Sequence, residues 1–304
     1  MRSADEVVSV VRATGLLAPD APVLVLLSGG RDSTCLLDLA WRLAGSASAL
    51  HVNYGLRPDS DADEAHCRVL CAQLGVPLEV ERPRRPPGAG NLQAWARDVR
   101  YQAAARRGVT VAAGHTASDQ AETVLYRLAA SPGRRALLGM APREGRLVRP
   151  LLAITRAETA AYCRARGLAW REDPSNASDA FARNRVRHEL LPALRSVHPA
   201  AEENVRRTAE LLREEAAVLD EVVAGVLDGR REIELHRLAA LPPALARLVM
   251  RRLAEDTLGR TVPRAARRTE DVLALGPDGA LDLGDGARAR VRAGTLSFER
   301  TPAR

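Results

Sequence analysis

The chain has 304 residues, 46% hydrophobic but only 3% aromatic. There is apolar material for a buried core, which has to be built from aliphatic side chains and alanine, and stacking of bases on aromatic platforms is excluded as the main binding device. The formal net charge is +7, and all 45 basic residues are arginine, so every cationic contact comes from a planar, permanently charged guanidinium suited to phosphate, which admits a nucleic-acid partner without requiring one.

The first segment, MRSADEVVSVVRATG, carries acidic residues and no long apolar run. It reads as neither a signal peptide nor a membrane span, and the expectation is a cytoplasmic protein with reduced thiols and no membrane partner. Pro22–Leu27 (PVLVLL) is a continuous apolar run ending at Gly-Gly, the pattern of a buried parallel strand. Thr34–Leu43 follows with helical spacing, and Ala47–Asn53 reads as a second strand. Asp61–Leu74 is an amphipathic helix with acidic residues in its first turn, as the helix dipole favours. Leu78–Glu81 is a short strand, and the Pro- and Gly-rich Pro83–Gly90 is a loop. Asn91–Arg107 is read as a helix, Val109–Ala113 as a strand and Ser118–Ala129 as a helix. Strands alternating with helices predict an α/β fold with a doubly wound parallel sheet.

The pattern changes after Pro192. Ala201–Leu227 is a long charged amphipathic helix, and Leu238–Leu258 is further helix interrupted near Pro242 and Pro243. Gly276–Phe298 alternates glycine with Leu, Val and Arg, as small strands would. The expected division is therefore a catalytic domain over residues 1–195 and a second, smaller, mainly helical domain over residues 196–304.

Chemistry concentrates at Leu27–Ser33, LSGGRDS, between the first strand and the first helix. Gly29 and Gly30 let the backbone turn sharply and approach a ligand. The helix start behind them offers N–H groups and positive dipole to an anion, with Ser28, Arg31 and Ser33 as further donors. Asp32 is out of place against bare phosphate; it is explained by a bridging Mg2+ or by a capping role. The spacing is neither G-x-x-x-x-G-K-[ST] nor G-x-G-x-x-G.

SGGRDS resembles the pyrophosphate loop of the N-type ATP pyrophosphatases, the PP-loop superfamily, which implies an adenine nucleotide α-hydrolase-like fold and ATP cleaved between its α- and β-phosphates. Six further segments narrow the likeness: HVNYGLR from His51, GHTASDQAETVLYR from Gly114, LGMAP from Leu138, LVRPLL from Leu147, REDPSN from Arg171 and RNRVRHELLP from Arg183. In order and spacing they resemble the tRNA(Ile)-lysidine synthetase family over about residues 20–195. That resemblance implies a ligase that adenylylates C2 of the wobble cytidine of an isoleucine tRNA with a CAU anticodon. Free L-lysine then displaces AMP and gives lysidine. ATP and Mg2+ are the implied cofactors, and a homodimer is compatible with the pattern.

Candidate site residues follow. Asp119 and Glu122, three apart on one helical face, are candidates to hold the lysine amine or accept its proton; the competing reading is an exposed acidic face. His115 follows a strand end, where ligands of parallel sheets collect, as do Asn53 and Arg57. Arg97 and Arg100 share a helical face and are read either as triphosphate or RNA contacts or as a solvated pair, with Tyr101 beside them as packing. Arg183, Arg185 and Arg187 form a basic cluster with His188, and with Asn184 among them they are read either as contacts to RNA phosphates or as a solvated helix face. Three positions depart from the family pattern: Tyr54, Thr116 and Ser118 stand where histidine, histidine and aspartate are usual. A further C-terminal RNA-binding domain of some relatives is expected to be absent. Two other readings compete: tRNA cytidine sulfur transfer, which calls for closely paired cysteines that Cys35, Cys67, Cys71 and Cys163 do not supply, and a non-catalytic RNA-binding relic, against which the intact loop argues.

Overall fold

Strand β1 (Pro22–Leu26) is the centre of the fold, and its apolar run is explained by cover on both faces. Val23, Val25 and Leu27 enter a core with Val7, Leu36, Leu39 and Ile154, while Leu24 and Leu26 face a second one with Leu50, Val52, Ala103, Ala104 and Val111. The computed structural model describes residues 1–56, 58–84, 92–131, 133–172 and 182–302. The described residues divide into two compact units, Met1–Leu212 and Arg213–Arg304.

In the first unit the order is α1 (Ala4–Ala13), β1, α2 (Arg31–Leu43), β2 (Ser46–Val52), α3 (Ser60–Leu74), β3 (Leu78–Glu81), α4 (Leu92–Ala105), β4 (Thr110–Ala112), α5 (Ala117–Ala130), α6 (Arg134–Leu137), β5 (Arg143–Glu144), β6 (Leu147–Val148) and α7 (Arg156–Ala165). The sheet order is β3-β2-β1-β4-β6-β5. All pairs are parallel except β5–β6. The chain leaves β1 in one direction through β2 and β3 and returns on its other side with β4. That reversal makes a crevice at the carboxyl ends of β1 and β4, where open α/β sheets bind ligands. Helix α7 is fixed to α2 by a buried link in which Tyr162 Oη donates to Asp38 Oδ2 at 2.5 Å and Arg166 Nε reaches the same oxygen at 3.2 Å.

The chain then runs through α8 (Ala182–Arg185), a π-helical turn over Val186–Leu190 and α9 (Leu191–Val197) into α10 (Ala201–Leu227), inside which the division into units falls. The apolar side of that path, Val186 and Leu191, packs on Ala121 and Leu125 of α5.

The second unit continues with β7 (Glu232–Glu234), α11 (Leu235–Ala239), α12 (Pro243–Leu258), α13 (Pro263–Arg267), α14 (Thr269–Leu273), β8 (Gly279–Gly284), β9 (Ala287–Arg292) and β10 (Thr295–Arg300). Helix is interrupted before Pro243, as the paired prolines require. The strands form an antiparallel sheet, β7-β10-β9-β8, whose two-residue turns at Asp285–Gly286 and Ala293–Gly294 have positive φ at both positions, the conformation that matches strand twist in tight hairpins. Along β9, Ala287, Ala289 and Val291 are buried between arginines. Among the described residues no helix is long and apolar enough to cross a membrane.

Candidate active site

The crevice at the β1 and β4 ends opens into a cleft of about 660 Å³. Its floor is the Ser28–Ser33 loop. Gly29 has φ +82°, and a Cβ there would meet Cys67 Sγ at 3.2 Å, so both conformation and space demand glycine. Ser33 Oγ donates to Gly30 O at 2.9 Å and lies 3.0 Å from Ser28 Oγ, which folds the loop on itself. Gly30 caps α2 without a side-chain hydrogen bond, so no side chain caps the N–H groups of the helix start, although Asp32 stands in its first turn. Gly114, at the end of β4, lets that strand approach; a Cβ there would stand 3.1 Å from the Asp32 carbonyl.

Three carboxylates and three guanidiniums are linked across the cleft wall. Asp32 Oδ1 accepts from Thr159 Oγ1 at 2.5 Å and from Arg31 Nε at 3.1 Å. Arg156, at the first position of α7, comes within 3.9 Å of Asp32 Oδ2, pairs with Asp119 Oδ1 and bonds Glu122 Oε1 at 2.5 Å. Arg187 also holds Glu122, with Nε 2.8 Å from Oε1 and Nη2 3.1 Å from Oε2. Burial alone raises a carboxyl, but for Asp119 the Arg156 charge and the Thr116 hydrogen bonds outweigh it and hold the group below its ordinary value.

His115 projects from the β4 end into the cleft. Burial pushes its imidazole down to about 4, and its Nδ1 is buried without a hydrogen-bond partner. Arg100 lines the opposite wall with an equally unpartnered buried Nε. Such orphaned polar atoms are costly unless a ligand satisfies them. Arg31, Arg156, Arg171 and Arg187 are also on the lining, beside the carboxylates of Asp32, Asp63, Asp119 and Glu172, so the cleft offers guanidiniums suited to phosphate next to acidic groups.

The predicted residues separate into groups. Ser28, Gly30, Arg31, Asp32, Ser33, Arg100, His115, Asp119, Arg187 and His188 line one cleft, and Glu122 joins them through Arg156 and Arg187. Arg183 turns instead to Thr123 Oγ1 at 3.2 Å, Asn184 is buried, and Arg97 is exposed, stacked 5.1 Å from the Tyr101 ring centre. Tyr101 packs beside the second core and also reaches the cleft. Arg57 and the D-P-S-N turn fall outside the described residues. The acidic pair is not an exposed face: Glu122 is 3% exposed.

Asn53 is committed elsewhere. Its Nδ2 donates to Asp61 Oδ1 at 2.9 Å and Glu64 Oε2 at 3.0 Å, while Arg68 and Arg82 close on Glu64 at 2.8 and 2.6 Å. The Asn53 hydrogen bond leads in holding the Glu64 carboxyl down to about 2, against the upward pull of burial and with help from the two arginines. A depressed carboxyl stabilises the fold above its unfolded-state value near 4.5, and the stabilisation is lost as pH falls toward 2. Glu64→Gln is therefore expected to cost about 2 kcal/mol in urea unfolding at pH 7. The gap from the parent protein should close between pH 4.5 and 2; a gap unchanged over that range would show that the charge of Glu64 contributes nothing.

The departures from the family pattern have local explanations. Thr116 is the N-cap of α5: its N–H and Oγ1 both donate to Asp119 Oδ2 at 2.8 Å, completing a capping box. Ser118 Oγ receives the Arg156 N–H at 3.5 Å. Tyr54 Oη donates to Ala96 O at 2.7 Å, with its ring edge-on to Trp95, tying the loop after β2 to α4. Gln120 brackets Met140, Nε2 to O at 2.8 Å and N to Oε1 at 2.6 Å, so LGMAP is a docking strap for α5.

The reading of the sequence missed Arg156 and Thr159. Thr155 and Glu158 form a T-x-x-E capping box that marks the start of α7 and would have drawn notice to the arginine at its first position. No cysteine lines the cleft; burial pushes Cys67 up to about 12 and Cys71 to about 11, and the neighbouring Cys163 together with burial also raises Cys35. Among the described residues no three acidic, histidine or cysteine side chains gather to hold a metal ion. The donor set suits a magnesium that arrives with phosphates and needs one or two protein carboxylates, Asp32 first, rather than a resident metal.

Residues 5–194 match the PP-loop domain family. Curated proteins with the name tRNA(Ile)-lysidine synthase are similar to the chain: 43% identical over 82% of it and 81% of the protein from Gloeobacter violaceus, 40% over 92% of it and 57% of that from Thermus thermophilus, and 44% over 65% of it and 47% of that from Pseudomonas fluorescens. The chain thus spans about half the length of several relatives it matches. Among solved structures it resembles the U34-tRNA thiolase NcsA from Methanococcus maripaludis with its [4Fe-4S] cluster, with a TM-score of 0.58 at 19% identity over 69% of this chain and 78% of that one, a likeness of fold.

Proposed function

The chain belongs to the PP-loop domain family and to the tRNA(Ile)-lysidine synthases within it, and from that premise we propose that it ligates lysine to C2 of the wobble cytidine of isoleucine tRNA with a CAU anticodon, consuming ATP. The observation that carries this reading is the meeting, in one cleft, of the Ser28–Ser33 loop at an uncapped helix start with Asp119, to which Arg156 links Glu122, and with the unpartnered His115 Nδ1 and Arg100 Nε.

The proposed reaction has two steps. The C2 oxygen of cytidine attacks the α-phosphate, and pyrophosphate leaves with the electron pair of the α–β bridge. The lysine ε-amine then attacks C2, and AMP leaves with the former C2 oxygen while the amine gives up a proton. In the first step the loop N–H groups and the surrounding arginines bind and orient the triphosphate and stabilise the departing charge. Magnesium bound with the nucleotide would add charge neutralisation there, with Asp32 as its protein partner. In the second step Asp119 and Glu122 hold the ammonium end of lysine. His115, neutral at physiological pH because burial depresses it, accepts a hydrogen bond from the amine. Arg187 and His188 contact the RNA at the cleft mouth, L-lysine and the tRNA being the two substrates beside ATP. A sulfur-transfer reading lacks thiols at the cleft, since Cys35, Cys67, Cys71 and Cys163 are all buried in the core.

The test is direct. The purified chain with ATP, magnesium, radiolabelled lysine and a CAU-anticodon isoleucine tRNA transcript is expected to transfer label to the tRNA in an ATP-dependent manner. No incorporation by a folded protein that binds ATP would overturn the assignment.

A further inference from the structure

A substrate ammonium needs a carboxylate whose charge is uncompensated, and at the proposed amine site both carboxylates are already paired with guanidiniums. Thr116 N–H and Oγ1 occupy Asp119 Oδ2, and Arg156 Nη2 occupies Oδ1. Glu122 Oε1 accepts from both Arg156 and Arg187, and Arg187 also donates to Oε2. Within this network Asp32, Asp119 and Glu122 are balanced by Arg31, Arg156 and Arg187. A lysine arriving first would bring a fourth cation to a cluster whose carboxylates are all paired with guanidiniums, a repulsion felt strongly where water is scarce.

Arg156 is the member that touches both halves of the cleft. Its Nε lies 3.9 Å from Asp32 Oδ2 at the phosphate loop, while its two terminal nitrogens hold the amine-site carboxylates. A triphosphate laid on the loop brings several negative charges within reach of the same guanidinium, whose fork fits phosphate as well as carboxylate. When Arg156 turns to it, Asp119 Oδ1 is released while Thr116 still fixes Oδ2 and Arg187 still fixes Glu122, so the carboxylates stay aimed. We propose that Arg156 is a positioning residue that keeps the amine site filled until a bound triphosphate draws its guanidinium away, so that nucleotide and lysine bind with positive, reciprocal coupling. The inference rests on the lysine-ligase reading and adds an order of binding to it; equal coupling in both directions follows from linkage.

Calorimetric titration of L-lysine into the full chain, with and without α,β-methylene ATP and magnesium, tests it. The parent protein is expected to bind lysine at least tenfold more tightly with the nucleotide analogue. Arg156→Gln, with the acceptor uncovered, is expected to bind lysine more tightly than the parent in the absence of nucleotide and to lose the dependence on it. Arg156→Lys, which reaches one carboxylate at a time, should fall between. A merely structural Arg156 would weaken lysine binding under both conditions and leave the ratio unchanged. A ratio near one in the parent protein, or an undiminished ratio in Arg156→Gln, overturns the coupling. If circular dichroism shows Arg156→Gln unfolded, the parent ratio and Arg156→Lys decide. Label transfer to tRNA by the same preparation separates the two levels: transfer with a ratio of one defeats the coupling alone, whereas no transfer and no lysine binding under either condition defeats the ligase reading and the coupling with it.

Discussion

Asp32→Asn is expected to lower ATP-dependent lysine transfer about a thousandfold, some 4 kcal/mol of lost transition-state stabilisation, while leaving the fold intact. The variant keeps the shape of the side chain and one carbonyl oxygen, so the Thr159 hydroxyl, now 2.5 Å from Oδ1, retains its acceptor. What it loses is the charge that meets Arg31 at 3.1 Å and Arg156 at 3.9 Å, and with it the carboxylate best placed for magnesium on the phosphate loop. Asp32 keeps 21% of its side chain exposed and the asparagine retains the Thr159 contact, so the variant should unfold within about 2 kcal/mol of the parent. The loss belongs to the first step: pyrophosphate release on mixing ATP with tRNA should fall by the same factor whether or not lysine is present. Near-normal pyrophosphate release would remove Asp32 from the chemistry.

Much of the fold was legible because its signals are local. PVLVLL reads as a strand covered on both faces, and it is one; Ala201–Leu227 has the ends that its charge pattern marks. Helix α2 starts three residues earlier than its apolar spacing indicates, at Arg31, because the loop residues that read as a turn also form its first turn. Strands β5 and β6 are two residues each, too short for periodicity to register. The phosphate loop was legible for the same reason as β1: strand, glycines and helix are contiguous. The other wall of the cleft was not, because it is assembled from pairs distant in sequence. Arg156 meets Asp119 across 37 residues and Arg187 meets Glu122 across 65, and nothing in the spacing of either says so. Asn53 shows the converse error: it lies at a strand end on the ligand edge, yet its side chain turns to Asp61 and Glu64.

Asp119→Asn is expected to separate the two half-reactions. Its carbonyl oxygen can take the place of Oδ2 under the Thr116 N–H and hydroxyl, so the capping box survives and with it about 1 kcal/mol of helix stability that alanine would forfeit. The amide nitrogen then faces the position where Arg156 now sits, presenting a donor where the substrate ammonium needs an acceptor. Pyrophosphate release should continue within a few-fold of the parent rate, whereas KM for lysine should rise about a hundredfold, the cost of one truncated charge pair at a buried contact. Glu122→Gln is the poorer probe: at 3% exposure it strands two guanidiniums and should destabilise the fold by about 3 kcal/mol. The pH dependence adds a second readout. Asp119 is held below its ordinary value and His115 down to about 4, so the first stays charged and the second neutral from pH 8 to 5. Lysine KM in the parent should therefore show no inflection from either group in that range. Equal losses in pyrophosphate release and lysine transfer in Asp119→Asn would place Asp119 with the nucleotide and not with the amine.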